Sequence, residues 1–103
     1  MSSRRTALES MLADDPADPF LRYSLAMEME KEGDHESSQR LMRELMTAEK
    51  PYIPAFVMAG QFLVRHGQDE AAREVFTAGV AAARAQGDDH AAGEMSEFLA
   101  GLD

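Results

Sequence analysis

The sequence predicts an all-α fold, and three observations support that prediction. Apolar residues recur at three- and four-residue spacing along the 103-residue chain, which is typical of amphipathic helices. Residue usage agrees, because Ala is abundant, eight Met are present and β-branched residues are scarce. No strand-like alternation or hairpin turn competes with this pattern. Short linkers between the helical segments predict that successive helices pack antiparallel.

The apolar spacing divides the chain into six helical segments. They run about 4–13, 19–32, 35–49, 53–66, 69–86 and 89–100. The first segment carries Ala7, Leu8, Met11 and Leu12 on one face. The last carries Ala91, Ala92, Met95, Phe98 and Leu99.

Polar residues and glycines mark the ends of these segments. Asp18 before Pro19 predicts a side-chain cap followed by a residue suited to the first helical turn. Asp34 and Asp88 are predicted to cap the third and sixth segments in the same way. Gly33 and Gly67 are predicted to end the second and fourth, because Gly adopts the left-handed conformation at the lowest cost.

An internal repeat is the more specific signal. Gly33 and Gly67 are 34 residues apart, and the same step pairs apolar positions, most of them of similar size. These pairs are Leu25 with Ala59, Ala26 with Gly60, Met29 with Leu63, Leu41 with Val75 and Met42 with Phe76.

Residues 19–86 resemble the tetratricopeptide repeat family in this period. Phe56, the small pair Ala59–Gly60 and Leu63 are similar to the aromatic, small and large positions of that repeat's first helix. Ala72 and Phe76 are similar to the small and large positions of its second helix. Small side chains let two helices approach closely, and a bulky neighbour fills the flanking space.

Three positions depart from the family pattern. Arg22 stands where the family has an aromatic residue, which predicts more solvent contact on that face of the first repeat. Ser38 matches its position only loosely. Arg84 replaces a terminating Pro, which predicts a helix that continues to about Gln86.

The resemblance implies a right-handed α-α superhelix of antiparallel helix hairpins. It divides a single domain over 1–103 into a half repeat at 4–16, whole repeats at 19–51 and 53–86, and a capping helix at 88–101. The capping helix has slipped in register, because stepping by 34 would place Glu97 in the core. The alternative is a generic helical bundle in which the 34-residue spacing is accidental.

Charge and composition exclude several functions. The net charge of −9 disfavours nucleic acid and anionic membranes and favours a partner with a basic face. The Arg4–Arg5 pair is interpreted as solvated. The absence of Cys excludes thiol chemistry, and the absence of a signal-like or spanning apolar run predicts a cytoplasmic protein.

Catalysis, metal binding and cofactor binding are not expected. His35, His66 and His90 have no partner His at metal-ligating spacing on the same helix. The Asp14, Asp15 and Asp18 cluster lacks the spacing of a calcium loop. No phosphate-binding loop or nucleophile motif occurs.

The predicted function is protein–protein interaction through a concave groove. In stacked helix pairs the first helices of the repeats line that side. Residues pointing away from the packing face are Phe20, Tyr23, Met27, Lys31, Val57, Gln61, Val64 and Arg65. Alternatively, Phe20, Tyr23 and Met27 complete helix packing. A clamp for chaperone C-terminal tails is not expected, because Tyr23, Met27 and Met58 occupy the places where that resemblance implies carboxylate-binding residues.

Self-assembly is the competing hypothesis. A half repeat at the start lacks the helix that would cover its outer side. If Ala7 or Leu8 leaves an apolar strip exposed there, two copies could form a homodimer.

Overall fold

A computed structural model describes residues 3–102, and within that range the chain forms six α-helices and no strand. The helices are α1 (Ser3–Asp14), α2 (Pro19–Lys31), α3 (His35–Met46), α4 (Ile53–Arg65), α5 (Asp69–Ala85) and α6 (Asp89–Leu102). The prediction of an all-α fold built from helical hairpins is confirmed.

Three helices begin at the predicted aspartates. The Asp18 carboxylate accepts the Leu21 N–H at 3.1 Å, and Asp34 accepts the Ser37 N–H at 3.3 Å. Asp88 accepts the Ala91 N–H at 3.1 Å. Each bond satisfies a backbone donor that the first turn of a helix leaves without an intrahelical acceptor.

Two helices end at the predicted glycines. Gly33 has φ +85° and Gly67 has φ +72°, both in the left-handed region. The residue after each glycine donates back to the helix: Asp34 N–H to the Met29 carbonyl at 2.9 Å, and Gln68 N–H to the Leu63 carbonyl at 2.8 Å. This is the Schellman arrangement, which turns the chain sharply enough to start the next antiparallel helix.

The third helix is shorter than predicted. It ends at Met46, whereas the spacing predicted continuation to about residue 49. The Thr47 hydroxyl and the Thr47 N–H both donate to the Arg43 carbonyl, at 2.7 and 3.0 Å. Pro51 also disfavours helical geometry at the residue before it, so the segment from 47 to 50 leaves the helix.

The chain divides into two compact units, Met1–Lys50 and Pro51–Asp103. In the first unit α2 packs against both α1 and α3, and in the second unit α5 packs against both α4 and α6. The single domain over 1–103 stays a prediction.

The first unit contains polar groups in its core. Ser38 is buried, and its hydroxyl donates to the Ala26 carbonyl at 2.8 Å. Glu28 is also buried, and its carboxylate lies 3.1 Å from Arg4 Nε and 3.5 Å from Lys31 Nζ. Every one of these polar atoms therefore has a partner, which burial requires.

The Arg4–Arg5 pair joins α1 to α2, so the interpretation of both arginines as solvated is wrong for Arg5. The Arg5 side chain is only 17% exposed and lies 2.9 Å from Glu32, 3.7 Å from Glu9 and 3.9 Å from Asp34. The hydrogen bond to Glu32 raises the pKa of Arg5 above its ordinary value, and the three carboxylate charges act in the same direction.

The second unit has an aromatic core. Phe56 and Phe76 are buried, and Phe76 lies so close to Gly60 that a Cβ atom there would overlap its ring. Gly79 is equally constrained, since a Cβ atom would lie 2.8 Å from the Phe56 Cβ. Gly60 therefore lets the bulky Phe76 pack directly against the α4 backbone.

The register slip of the last helix is confirmed. α6 buries Ala92 and Met95, whereas Glu97 is exposed. Across residues 3–102, no helix combines the length and apolarity needed to cross a bilayer.

Candidate functional site

A cleft of about 500 Å³ lies in the second unit, between the C-terminal halves of α4 and α6. Its floor is α5. The lining residues are Gln61, Val64, Arg65, Phe76, Glu97, Phe98, Gly101 and Leu102.

The α4 wall consists of three residues from the predicted groove. Gln61, Val64 and Arg65 follow one another at three- and one-residue steps, which places them on one side of the last two turns of α4. Val64 is 40% exposed, a large apolar side chain that helix packing leaves accessible. Helical periodicity already placed these three residues on one side of α4, and their role in binding a partner stays a prediction.

The floor is aromatic and closely held. Phe76 on α5 is buried beneath the α4 backbone at Gly60, and its ring centroid lies 5.2 Å from that of Phe98, with a tilt of 39°. Such a tilted aromatic pair is favourable beyond the apolar area that it buries. Phe76 and Phe98 therefore form a fixed apolar base for the cleft.

Sequence reasoning missed the α6 wall. Glu97, Phe98, Gly101 and Leu102 lie at spacings of one and three residues on α6. Arg73 on α5 donates to the Leu102 carbonyl at 3.2 Å, which holds the last turn of α6 against α5. The last segment has more apolar residues than packing against one helix requires, and this pattern could have indicated the wall. The sequence prediction assigned Phe98 to helix packing alone.

A second depression continues along α6 from the cleft. It is lined by Asp89, His90, Gly93, Glu94 and Glu97. Glu97 belongs to both depressions, so the two share one side of α6. Within residues 3–102, Asp89, Glu94 and Glu97 form no ion pair.

The cleft combines an apolar base with a polar rim. Val64, Phe76, Phe98 and Leu102 are its apolar side chains, and Gln61, Arg65 and Glu97 are its polar ones. Such a lining suits apolar side chains of a ligand, with a few polar groups fixing orientation.

The remaining predicted site residues lie elsewhere. Val57 is half-buried on α4 and does not line the cleft. The other four are on α2 in the first unit. Tyr23 is half-buried, and Lys31 Nζ lies 3.5 Å from the Glu28 carboxylate. Phe20 is 62% exposed and Met27 is 37% exposed. The alternative that these side chains complete helix packing stays a prediction.

The apolar strip predicted on α1 for self-assembly differs in the structure. Leu8 is buried, because α1 packs its face against α2, and it is not available to a second copy. Ala7 is exposed, and so is Met11, at 51%. Any apolar strip on α1 therefore consists of Ala7 and Met11, one turn apart.

Comparison with known proteins adds one structural relative. No protein-family model matches the chain, and no curated protein matches it. The chain is similar to the solution structure of protein BPP2914 from Bordetella parapertussis, with 26% sequence identity and a TM-score of 0.78. The match covers 99% of this chain and 89% of that chain, so it extends to all six helices.

Proposed function

We propose that this chain is a small tetratricopeptide-type protein of the cytoplasm that binds a short segment of a partner protein in the α4–α6 cleft, without catalysis or a cofactor. The observation that carries the proposal is the cleft itself. An aromatic base, an accessible Val64 and a polar rim are brought together from three helices.

The repeat assignment has support from local geometry. The turns at Gly33 and Gly67 share the same hydrogen-bond pattern at a separation of 34 residues. Gly60 and Phe76 supply the close small–large contact that the resemblance implies. Stacked repeats of this type use their first helices to line a binding surface.

The size of the cleft favours a short linear segment over a folded domain. Its volume lies in the range of roughly 300–1,000 Å³ that is common for ligand sites. Burying one Leu- or Phe-sized side chain there contributes about 1.5–3 kcal/mol. Two such anchors suit a peptide that binds with modest affinity.

Peptide selection tests this function. A random peptide library displayed on phage is selected against the chain, and enriched peptides are synthesised and titrated into ¹⁵N-labelled protein. The amide signals of Gln61, Val64 and Phe98 should shift together. Val64→Glu should remove binding because it places a charge on the α4 wall, at its accessible apolar side chain, whereas the control Ala81→Glu, on an exposed part of α5, should leave binding intact.

Enriched peptides that shift other amides and bind Val64→Glu as well as the wild type would contradict the proposal. Circular dichroism of both variants checks that each keeps its helices.

Self-assembly is a second candidate, favoured by the exposed Ala7 and Met11 on α1. Apolar side chains one turn apart can form a self-complementary contact between two copies. Sedimentation velocity at two protein concentrations tests it. Assembly predicts a dimer that Met11→Lys dissociates, and a monomer at both concentrations would contradict it.

A further inference from the structure

We infer that the α4–α6 cleft selects a basic amphipathic peptide, with apolar residues seated on Val64 and Phe98, above the buried Phe76, and Lys or Arg residues lying along α6. This inference rests on the proposed peptide binding and adds the chemistry of the partner. Its basis is the charge distribution around the apolar cleft.

The α6 side of the site carries three carboxylates and one histidine, His90, but no Lys or Arg. α6 contains Asp89, Glu94 and Glu97 and no Lys or Arg. Glu97 stands at the junction of the apolar cleft and the neighbouring depression, and Asp89 and Glu94 line that depression. A peptide that leaves the cleft on this side meets three carboxylates in succession.

These carboxylates differ from those of the first unit. There Glu28 and Glu32 lie against arginines of α1, and Glu44 lies 3.5 Å from Arg22. Among the described residues, no ion pair involves Asp89, Glu94 or Glu97, so no cation of the chain has to be displaced before a peptide cation binds. The net charge of the second unit also attracts a basic peptide, because residues 51–103 contain eight acidic and three basic side chains.

Helix geometry sets the spacing that the peptide must have. At 1.5 Å per residue, Glu97 is about 4.5 Å from Glu94 and about 12 Å from Asp89 along the axis of α6. An extended peptide advances about 3.3 Å per residue. Its basic residues should therefore fall within about four positions of the last apolar anchor.

The charge on the α4 wall is compatible with a peptide whose basic residues lie along α6. Arg65 is the one basic residue of the cleft lining, and it belongs to the α4 wall, whereas Glu97 belongs to the α6 wall. A basic peptide is attracted to the α6 side and repelled from Arg65, so its cations have one favoured direction along the site.

The test uses peptides selected from the random phage library against the full chain. We expect the enriched peptides to pair two apolar residues with Lys or Arg within four positions. In fluorescence anisotropy, the double substitution Glu94→Gln with Glu97→Gln should weaken their binding about 3- to 30-fold, the effect of removing two exposed charge pairs. Raising NaCl from 50 to about 500 mM should weaken binding to the wild type more than to this variant.

A matched control removes the same amount of charge from α5. Asp69→Asn with Glu74→Gln alters two exposed carboxylates that line neither depression. This variant should bind the selected peptides within about twofold of the wild type. An equal loss in both double variants would overturn the inference, because it would show attraction to net charge and not to α6.

The outcomes separate the inference from the function on which it rests. Neutral or acidic peptides that shift the Gln61, Val64 and Phe98 amides would overturn the basic specificity and keep the proposed function. Peptides that shift none of these amides would overturn both.

Discussion

At positions 34 residues apart, the first unit carries Arg22, Glu28 and Ser38 where the second unit carries Phe56, Phe62 and Ala72. The two sets occupy matching places in α2–α3 and α4–α5. In the second unit all three side chains are buried and apolar, whereas in the first each is charged or hydroxylated. The same hairpin is therefore built once with polar contacts and once with aromatic packing.

The comparison shows two ways of holding a helical hairpin together. Polar residues are accepted in the first unit because each has a defined partner: Arg22 has Glu44, Glu28 has Arg4, and Ser38 has the Ala26 carbonyl. The second unit instead needs close steric fit, since Gly60 leaves no room between α4 and the Phe76 ring. At these positions the two hairpins therefore differ both in polarity and in the way their cores are packed.

The largest expected effect tests the aromatic core. Phe76→Ala should destabilise the protein by about 3–5 kcal/mol, because it removes a buried ring and leaves a cavity beneath α4. Urea unfolding followed by circular dichroism measures the loss. Phe20→Ala, at an exposed ring, should stay within about 0.5 kcal/mol of the wild type. A larger loss for Met42→Ala, the first unit's counterpart, would break the contrast between the units.

A smaller effect tests the close approach of helices in the second unit. Gly60→Ala should cost about 1–3 kcal/mol, because the added methyl group overlaps the Phe76 ring. Gly93→Ala is the matched control on α6, where no neighbouring atom is near, and it should stabilise the helix by about 0.5–1 kcal/mol. The same unfolding assay compares the two, and stabilisation by both changes would contradict the packing account.

The next effect tests the polar core of the first unit. Ser38→Ala should cost about 1 kcal/mol, because it removes a buried hydrogen bond to the Ala26 carbonyl. Ser37→Ala, one residue earlier and half-buried, should have an effect below about 0.5 kcal/mol. If Ser38→Ala leaves the free energy of unfolding unchanged, the hydrogen bond to Ala26 does not stabilise the first unit. That result would contradict the account of its polar core.

The smallest effect concerns the attachment of α1. Arg5→Gln should speed hydrogen exchange of the α1 amides and leave those of α6 unchanged, because Arg5 joins α1 to Glu32 and Asp34. High salt should reproduce part of this effect by screening the ion pairs. Arg40→Gln, which alters an exposed pair within α3, is the control and should leave α1 exchange unchanged. Equal acceleration in α1 and α6 would show general destabilisation.

Much of the fold could be predicted from the sequence because its signals are local. Asp18, Asp34 and Asp88 cap helices through bonds to residues three positions later, and Gly33 turns the chain through its own φ. The end of α3 could not be predicted in this way. Residues 47–49 are compatible with a helix, but Thr47 is the C-cap, with φ −102° and ψ 6°, and Pro51 disfavours helical geometry at the residue before it.

The candidate site was predictable only on one side. Gln61, Val64 and Arg65 share a helix, so their spacing already placed them together. The facing wall depends on the register of α6, which departs from the 34-residue step, and Phe98 could be assigned to the cleft only once its contact with Phe76 was known. The role of Arg5 was missed for a related reason, since its partners Glu32 and Asp34 are distant in sequence.

The contact between Gly60 and Phe76 has a consequence for the proposed peptide binding, namely for the rate and the selectivity with which a peptide would enter the cleft. A ring confined by the α4 backbone on one side and by Phe98 on another has few orientations to lose when a peptide arrives. Little conformational entropy is then lost at the base of the cleft, and the association rate should approach that of a preformed surface. The same rigidity prevents the base from reshaping around a poorly fitting side chain, so discrimination among apolar anchors should follow their shape.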